Sequence, residues 1–328
     1  MKLSIILPVY NVEKYIRSCM ESIYSQGLAE DLFEVLIVND GTKDNSMGVI
    51  ADFIQNHSNI IVIEQENQGV SSARNNGIAK AKGEYIMMPD SDDLLLEQSL
   101  PVLLDVAIDT KADLIVADFV KMTNEDIANR KFPNQKELKI QEKSGKELFL
   151  EDYNPHESYV WRTLYRREFI LDNHIKFYPG IRIQDLPFTH ECYLKAQKCI
   201  RVSWLLNIYR IGHESATSSL SKQKAKDFSI AITETWKLVH WTGHTPKTLQ
   251  KLENDVFINF TFLISWVSYS FKESADRLDI INYIRQLAPD MTFKNDANQR
   301  ITSFLFRYLP RLYMAINYYG RRLKHLVK

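Results

Sequence analysis

The chain has 328 residues, of which 45% are hydrophobic and 25% charged, and its formal net charge is zero. A chain of this length and composition can bury a sizeable core, which argues against a globally disordered protein. Its neutrality argues against the general positive field by which proteins hold nucleic acid or an anionic membrane.

Apolar runs and segments of helical spacing alternate along the first hundred residues. The apolar runs predict four buried strands, at residues 3–9, 33–38, 59–63 and 85–88. The segments between them predict three helices, at residues 12–26, 44–56 and 70–81. This alternation favours an α/β fold whose mostly parallel sheet is flanked by helices.

The rest of the chain is mixed at first and helical at its end. Helices are expected at residues 94–109, from 146 on and at 185–197, strands at 112–120 and 199–210, and a polar loop at 121–143. Later helices are expected at residues 227–240, 247–271 and 276–287. We therefore predict an α/β domain over residues 1–220 and a helical C-terminal region over 221–328.

Asp90 and Asp92 directly follow the fourth predicted strand, with Asp93 behind them. In an extended chain, residues i and i+2 point to the same side, so the first two carboxylates can face one point. Two close carboxylates repel unless a cation lies between them, and Mg²⁺ or Mn²⁺ combines carboxylates with phosphate oxygens. The alternative is a helix that starts at Leu94, with Asp92 or Asp93 as its N-cap.

The net charge of the first hundred residues supports the presence of a metal site. Residues 1–100 carry 7 lysines and arginines against 15 aspartates and glutamates, a net charge of −8. A doubly anionic ligand is repelled by such a field. A divalent cation would offset that repulsion.

Two more polar segments follow predicted strands, and ligands of parallel sheets bind beyond these strand ends. Asp40 can accept a hydrogen bond from a base, and Gly41 lets the backbone approach a ligand. Arg74 lies one turn into the third predicted helix, whose free N–H groups favour an anion. The alternatives are an ordinary turn capped by Asp44 or Ser46, and a capped surface helix.

The order and spacing of these segments resemble the family-2 inverting glycosyltransferases, which have the GT-A fold. The resemblance rests on Pro8-Val9-Tyr10-Asn11 and on residues 40–46, 67–77 and 89–93. It covers roughly residues 1–215 and is specific in the first hundred. Asn39 and Thr42 depart from the family's usual Asp and Ser. The Gln-x-x-Arg-Trp motif of processive members does not occur, which favours a non-processive member of the kind that builds surface polysaccharides.

The resemblance implies transfer of one hexose or N-acetylhexosamine from a nucleoside-diphosphate sugar, with UDP as the expected nucleotide, to a saccharide or lipid-linked saccharide. It also implies a divalent metal cofactor, Mn²⁺ or Mg²⁺, bound by Asp92. The residues implied to bind the donor are Pro8, Tyr10, Asp40, Arg74, Asp90 and Ser91. The alternative function is a non-catalytic nucleotide-sugar-binding or assembly scaffold protein, against which the intact acidic residues argue.

An inverting transfer needs a carboxylate that takes the proton of the attacking hydroxyl. The family commonly supplies it from a Glu-Asp pair, and residues 180–188 resemble that region, with Gln184 in place of Glu. Asp185 is therefore the expected general base. The alternatives are that Asp185 only caps the following helix, or that Asp152, in the pair Glu151-Asp152, is the base.

Trp161 and His213 have two interpretations each. Trp161 lies in a segment that resembles the family's stretch before the base, where its face can stack on a sugar, and it can equally belong to the core. His213 follows the last predicted strand and either completes the metal site or is structural.

Residues 302–328 interleave aromatic and aliphatic side chains with basic ones, and residues 301–328 hold six lysines and arginines without an acidic residue. Such a stretch either contacts an anionic membrane or closes a helical subdomain with a solvated basic face. Pro310 and Gly320 are expected to interrupt it. The odd number of cysteines, three, favours free thiols in a reducing compartment, so we expect a cytoplasmic protein. If residues 302–328 contact a membrane, the protein would lie peripherally on the inner face of the plasma membrane.

Overall fold

The computed structural model describes residues 1–135, 137–212 and 220–326, with side chains up to residue 320. The chain divides into two compact units. The first contains residues 1–151, 159–180 and the segment that begins at 192. The second contains residues 152–158, 181–191 and the C-terminal helices.

A mixed sheet forms the centre of the first unit. Its strands are β1 (Leu3–Val9), β2 (Phe33–Asn39), β3 (Ile60–Glu64), β4 (Tyr85–Met87), β5 (Leu94–Leu95), β6 (Leu114–Thr123), β7 (Ile140–Lys143), β8 (Thr163–Arg166) and β9 (Cys199–Ile211). They are ordered β3-β2-β1-β4-β8-β6-β9-β5, and β7 pairs with β9. The three longest pairings, β6 with β9, β1 with β2 and β2 with β3, are parallel, whereas β8 runs antiparallel to both of its neighbours.

Short helices connect these strands. They are α1 (Ile16–Tyr24), α2 (Ser46–Val49), α3 (Ala51–Asn56), α4 (Val70–Lys80), α5 (Ser99–Thr110), α6 (Asn124–Ala128), α7 (Gly145–Glu151), α8 (Arg167–Asp172) and α9 (Asp185–Lys195), of which α9 begins in the second unit. Helix α1, for example, buries Ile16, Cys19 and Ile23 in the core that contains the apolar residues of β1 and β2.

The second unit is helical. Its helices are α10 (Lys222–Lys237), α11 (Pro246–Ser270), α12 (Ser274–Leu287), α13 (Ala297–Tyr308) and α14 (Pro310–Leu326). They share an apolar core in which Phe260 contacts the rings of Phe293, Phe306 and Tyr313. Within the described residues, no helix combines the length and the apolar character that a membrane span needs.

Two sequence-based expectations for the first unit are wrong. The helix predicted from residue 94 begins only at Ser99, because Leu94 and Leu95 pair with β9 as a strand. The loop predicted at 121–143 contains the end of β6, helix α6 and strand β7. Helix α6 forms because Thr123 and Asp126 make a reciprocal capping box at its start.

Two smaller expectations also differ from the structure. The helix predicted at 44–56 is divided at Ile50 into α2 and α3. Pro310 does end α13 and begin α14, as predicted, but α14 continues through Gly320. One glycine costs a helix only about 1 kcal/mol, too little to stop it.

Candidate active site

The ends of β1, β2 and β3 lie side by side. Val9 is in register with Asn39, and Asn39 with Glu64, so the polar segments that follow these strands meet at one edge of the sheet. The backbone N–H of Asn11 donates to Thr42 Oγ1 at 2.8 Å, and that of Val12 donates to Ser46 Oγ at 3.0 Å. The loop after β1 is therefore bound to the loop after β2.

Asp44 connects the same two loops. Its carboxylate accepts hydrogen bonds from the Glu13 N–H at 2.9 Å, from the Thr42 hydroxyl at 2.7 Å and from the N–H and hydroxyl of Ser46. Partial burial opposes the charged form, but these hydrogen bonds outweigh it and lower the pKa of Asp44 to about 2. Asp44 therefore helps to fix the rim formed by the first two loops.

Asp40 is buried and binds the loop that precedes α4. Its carboxylate accepts from the backbone N–H groups of Gln68 and Gly69 at 2.8 and 2.9 Å, and from the Gln65 amide at 2.7 Å. A negative charge is favourable at this place, because the N–H groups at the start of a helix carry partial positive charge. In this structure the anion beside the N-terminus of α4 is thus a side chain of the protein itself.

Arg74 is buried and forms an ion pair with Asp90, which is partly exposed. The guanidinium is 1% exposed, and Nη2 lies 2.5 Å from Asp90 Oδ1. The ring of Phe177 lies 5.4 Å from the guanidinium carbon, and Asn75 holds the backbone of Phe177 by two hydrogen bonds. The ion pair connects α4 to the segment after β4, two regions that the sequence predicted to lie together.

Three carboxylates cluster after β4. One oxygen from each of Asp90, Asp92 and Asp93 lies within 4.8 Å of the others. Asp93 is 2% exposed, and burial together with the charges of Asp90 and Asp92 raises its pKa to about 9, although Arg210 acts in the opposite direction. Burial and the two neighbouring negative charges therefore favour the neutral form of the Asp93 carboxyl group.

The proposed capping role of Asp92 or Asp93 is wrong. No helix begins at Leu94, and Asp93 Oδ1 instead accepts the backbone N–H of Arg210, in β9, at 2.8 Å. Asp93 thus anchors the acidic segment to the sheet, which leaves Asp90 and Asp92 at its accessible side.

Arg210 is a residue of this region that the sequence argument did not single out. Its guanidinium donates to the Asp92 carbonyl at 2.8 Å, to Asn124 Oδ1 at 2.7 Å and to Ser18 Oγ at 3.3 Å. The available signal was an arginine near the mostly apolar end of strand β9, since a buried charge requires partners.

The donor set of the acidic cluster fits a hard divalent cation. Its ligand atoms are carboxylate oxygens, and Mg²⁺ and Mn²⁺ prefer such oxygens. Asp90 and Asp92 are partly exposed, as a metal that also contacts a substrate requires, while Asp93 is buried. Asp92 is the residue that would hold the ion, since Asp90 is already paired with Arg74.

The other predicted donor residues lie at the same strand ends. Pro8 is partly buried within β1 and pairs with Val38 of β2. Tyr10 follows β1 and is 39% exposed, so its ring is accessible to a ligand. Ser91, between the two aspartates, is buried. His213 lies outside the described residues.

Asp185 is the first residue of α9 and belongs to the second unit. The Gln184 side-chain amide donates to its Oδ1. One turn further on, His190 Nδ1 lies 2.7 Å from the Leu186 carbonyl, and Nε2 lies 3.5 Å from Asp255. The buried His190 thus stabilises the first turns of α9. The spacing of apolar residues in the sequence did not predict this role.

Trp161 is a core residue. It is 1% exposed, stacks on Tyr159 with ring centroids 4.7 Å apart, and meets Phe119 edge to face. Of its two interpretations, packing in the core is therefore confirmed, because a buried face cannot stack on a sugar.

Comparison with known families identifies the chain. The description "Glycosyl transferase family 2" matches residues 4–173, a segment that contains all four strand-end loops and the acidic cluster. The chain belongs to glycosyl transferase family 2. This family-2 chain is 34% identical over 220 residues to the "Uncharacterized glycosyltransferase EpsJ" of Bacillus subtilis, a match that covers 65% of the chain and 62% of EpsJ.

Solved structures confirm the expected GT-A fold. The family-2 chain resembles S. aureus TarS 1–349, solved in complex with UDP-GlcNAc, with a TM-score of 0.74 and 20% identity over 99% of this chain and 92% of that one. It also resembles the mannosyltransferase PcManGT of Pyrobaculum calidifontis, solved with GDP-Man and Mn²⁺. That match has a TM-score of 0.55 and 14% identity, and it covers 97% of this chain and 86% of PcManGT.

Proposed function

We propose that this protein transfers a single sugar from a nucleoside-diphosphate sugar to a hydroxyl of a saccharide or lipid-linked saccharide, with inversion at the anomeric carbon. Its membership of glycosyl transferase family 2 supports sugar transfer. The complex of TarS with UDP-GlcNAc supports UDP as the nucleotide. The observation that carries the proposal is the acidic cluster after β4, with Arg74 paired to Asp90.

The strand-end loops of the first unit would bind the donor. Tyr10 offers an exposed ring at the end of β1, on which a base can stack. Asp40 holds the loop 65–69 against the end of β2. It would therefore contribute to nucleotide binding by fixing the shape of that loop. Arg74 holds Asp90, whose carboxylate would accept a hydroxyl of the ribose or sugar.

Asp92 would hold the divalent ion. When bound, such an ion offsets the negative charge that develops on a departing diphosphate. The Asp93 side chain and the Arg210 guanidinium fix the backbone of the acidic segment by hydrogen bonds, so the Asp92 side chain would be positioned before the donor arrives. Mn²⁺ or Mg²⁺ is the proposed cofactor, and the Mn²⁺ complex of PcManGT supports it.

Asp185 would act as the general base. It would accept the proton of the acceptor hydroxyl while that oxygen attacks the anomeric carbon and the bond to the diphosphate breaks. The neutral Gln184 amide, which donates to Asp185, would hold the carboxylate in one orientation. We also propose that residues 1–220 are the catalytic domain and 221–328 a helical accessory region. Three buried free cysteines support a cytoplasmic location.

The test is metal-dependent release of nucleotide from UDP-, GDP- and dTDP-sugars, measured for the wild-type chain and for Asp92→Asn. We expect turnover with one nucleotide class in Mn²⁺ or Mg²⁺, none after chelation, and a loss of at least about a hundredfold in the variant. Asp105→Asn, on the exposed side of α5, is the matched control and should keep full activity. Donor binding without turnover in any metal would instead favour a non-catalytic scaffold.

A further inference from the structure

Helices α13 and α14 each carry an exposed apolar row. On α13 the row is Ile301, Phe304 and Tyr308, which are 60%, 55% and 64% exposed. On α14 it is Leu312, Ile316 and Tyr319, which are 48%, 51% and 63% exposed. Within each helix the three residues follow at steps of three or four, so they lie on one face. We name these six residues the C-terminal apolar rows.

The opposite faces of the same helices are buried in the core of the second unit. Phe306 of α13 is 2% exposed, and Tyr313 and Met314 of α14 are 6% and 2% exposed. Both helices are therefore fixed by one apolar face while they present a second one to solvent. A surface helix that serves only the fold has a polar outer face, so the outer apolar rows indicate a binding surface.

The charge around the rows selects the kind of partner. Residues 297–328 contain seven lysines and arginines and no acidic residue. Arg300, Arg307 and Arg311 are exposed next to the rows. A second copy of the chain, docked through the same face, would bring like charges together, whereas an anionic surface would be attracted.

We propose that the C-terminal apolar rows dock on the interface of an anionic lipid bilayer. The aromatic and aliphatic side chains would enter the boundary between headgroups and acyl chains, and the arginines would contact lipid phosphates. Phe304 and Tyr308, with ring centroids 5.3 Å apart, would enter together, and aromatic rings favour this depth of the membrane.

The test uses the full chain and sedimentation with lipid vesicles. We expect binding to phosphatidylcholine vesicles that contain about one third phosphatidylserine, weak binding to phosphatidylcholine alone, and weaker binding as salt is raised. Phe304→Ser combined with Tyr308→Ser should reduce binding about tenfold or more. The matched control is Phe262→Ser with Tyr269→Ser, two exposed aromatic residues of α11, which should bind nearly as the wild type does.

Release of nucleotide from the donor in the absence of vesicles is measured in parallel and should be the same for all three proteins. This readout separates the docking surface from the proposed activity. Equal vesicle binding by the row variant and the control, or no preference for anionic lipid, would overturn the proposal. So would self-association that the row substitutions abolish while vesicle binding is absent.

Discussion

Asp185 and Asp152 are two carboxylates of the second unit between which the choice of a base can be tested. We expect Asp185→Asn to retain donor binding and to lose about a hundred- to ten-thousandfold in kcat, because the amide cannot accept the acceptor's proton. Steady-state kinetics together with calorimetric titration of the donor separates the two effects. Asp152→Asn is the control and should remain close to wild type. A loss confined to Asp152→Asn would transfer the role to that residue.

Arg74 gives a prediction about stability at the residue scale. Arg74→Met should lower the free energy of unfolding by about 2 kcal/mol, because it removes a charge-assisted hydrogen bond from a buried guanidinium to the partly exposed Asp90 carboxylate. Urea denaturation measures the change. Arg17→Met removes a two-bond ion pair with Asp52, but both of its side chains are about half exposed to solvent, so little change is expected. Similar losses in the two variants would show that burial does not decide the strength of these pairs.

Single residues also show where sequence reasoning was insufficient. The pattern Asp40-Gly41 correctly indicated a strand end, but it could not show that loop 65–69 surrounds the carboxylate, because that contact joins residues 25 or more positions apart. Arg210 was missed for the same reason, since its partners Ser18, Asp92 and Asn124 come from three separate segments. Side-chain roles that depend on distant partners need the tertiary structure.

At the scale of elements, the connection between the loops after β1 and β2 gives a prediction about pH. Asp44→Asn should lower the free energy of unfolding by about 1 kcal/mol, because it weakens several hydrogen bonds at once. The folded-state pKa is lowered from 3.8 to about 2, so the stabilisation is complete above about pH 4 and is lost as the pH falls through 2.

Urea denaturation of the wild type and of Asp44→Asn between pH 3 and pH 7 measures how the free energy of unfolding depends on pH. These limits lie on either side of the ordinary aspartate pKa of about 4. The gap between wild type and Asp44→Asn should narrow toward the acid end. Asp105→Asn, whose side chain is exposed on α5, should show no such gap at any pH. If the difference in free energy of unfolding between wild type and Asp44→Asn stayed the same at every pH, the charge of Asp44 would not contribute to stability.

The elements that were predicted correctly are those that local sequence determines. Strands β1 to β4 are apolar runs bounded by polar residues, and helix α1 between the first two has an apolar side at helical spacing. The short strands β5 and β7 could not be predicted, because both exist only through pairing with β9, more than fifty positions further along the chain. Strand pairing of this kind is a non-local interaction that periodicity does not report.

At the scale of the whole molecule, the resemblance to family-2 glycosyltransferases made the fold predictable. The alignment with EpsJ spans 62% of that relative, whereas the structural match to TarS 1–349 spans 99% of this chain at only 20% identity. The structural similarity therefore extends over the helical second unit. Specificity for donor and acceptor is a property of particular side chains, so the fold alone does not determine it.

The burial of the cysteines has a practical consequence. Cys19, Cys192 and Cys199 are all at most 2% exposed, and burial raises the pKa of the Cys19 and Cys199 thiols. None of them should react readily with maleimide in the native protein, because that reagent requires an accessible thiolate. In a Phe304→Cys variant the introduced cysteine would consequently be the one that reacts with a fluorescent maleimide. The emission of the attached dye would then report the polarity around α13.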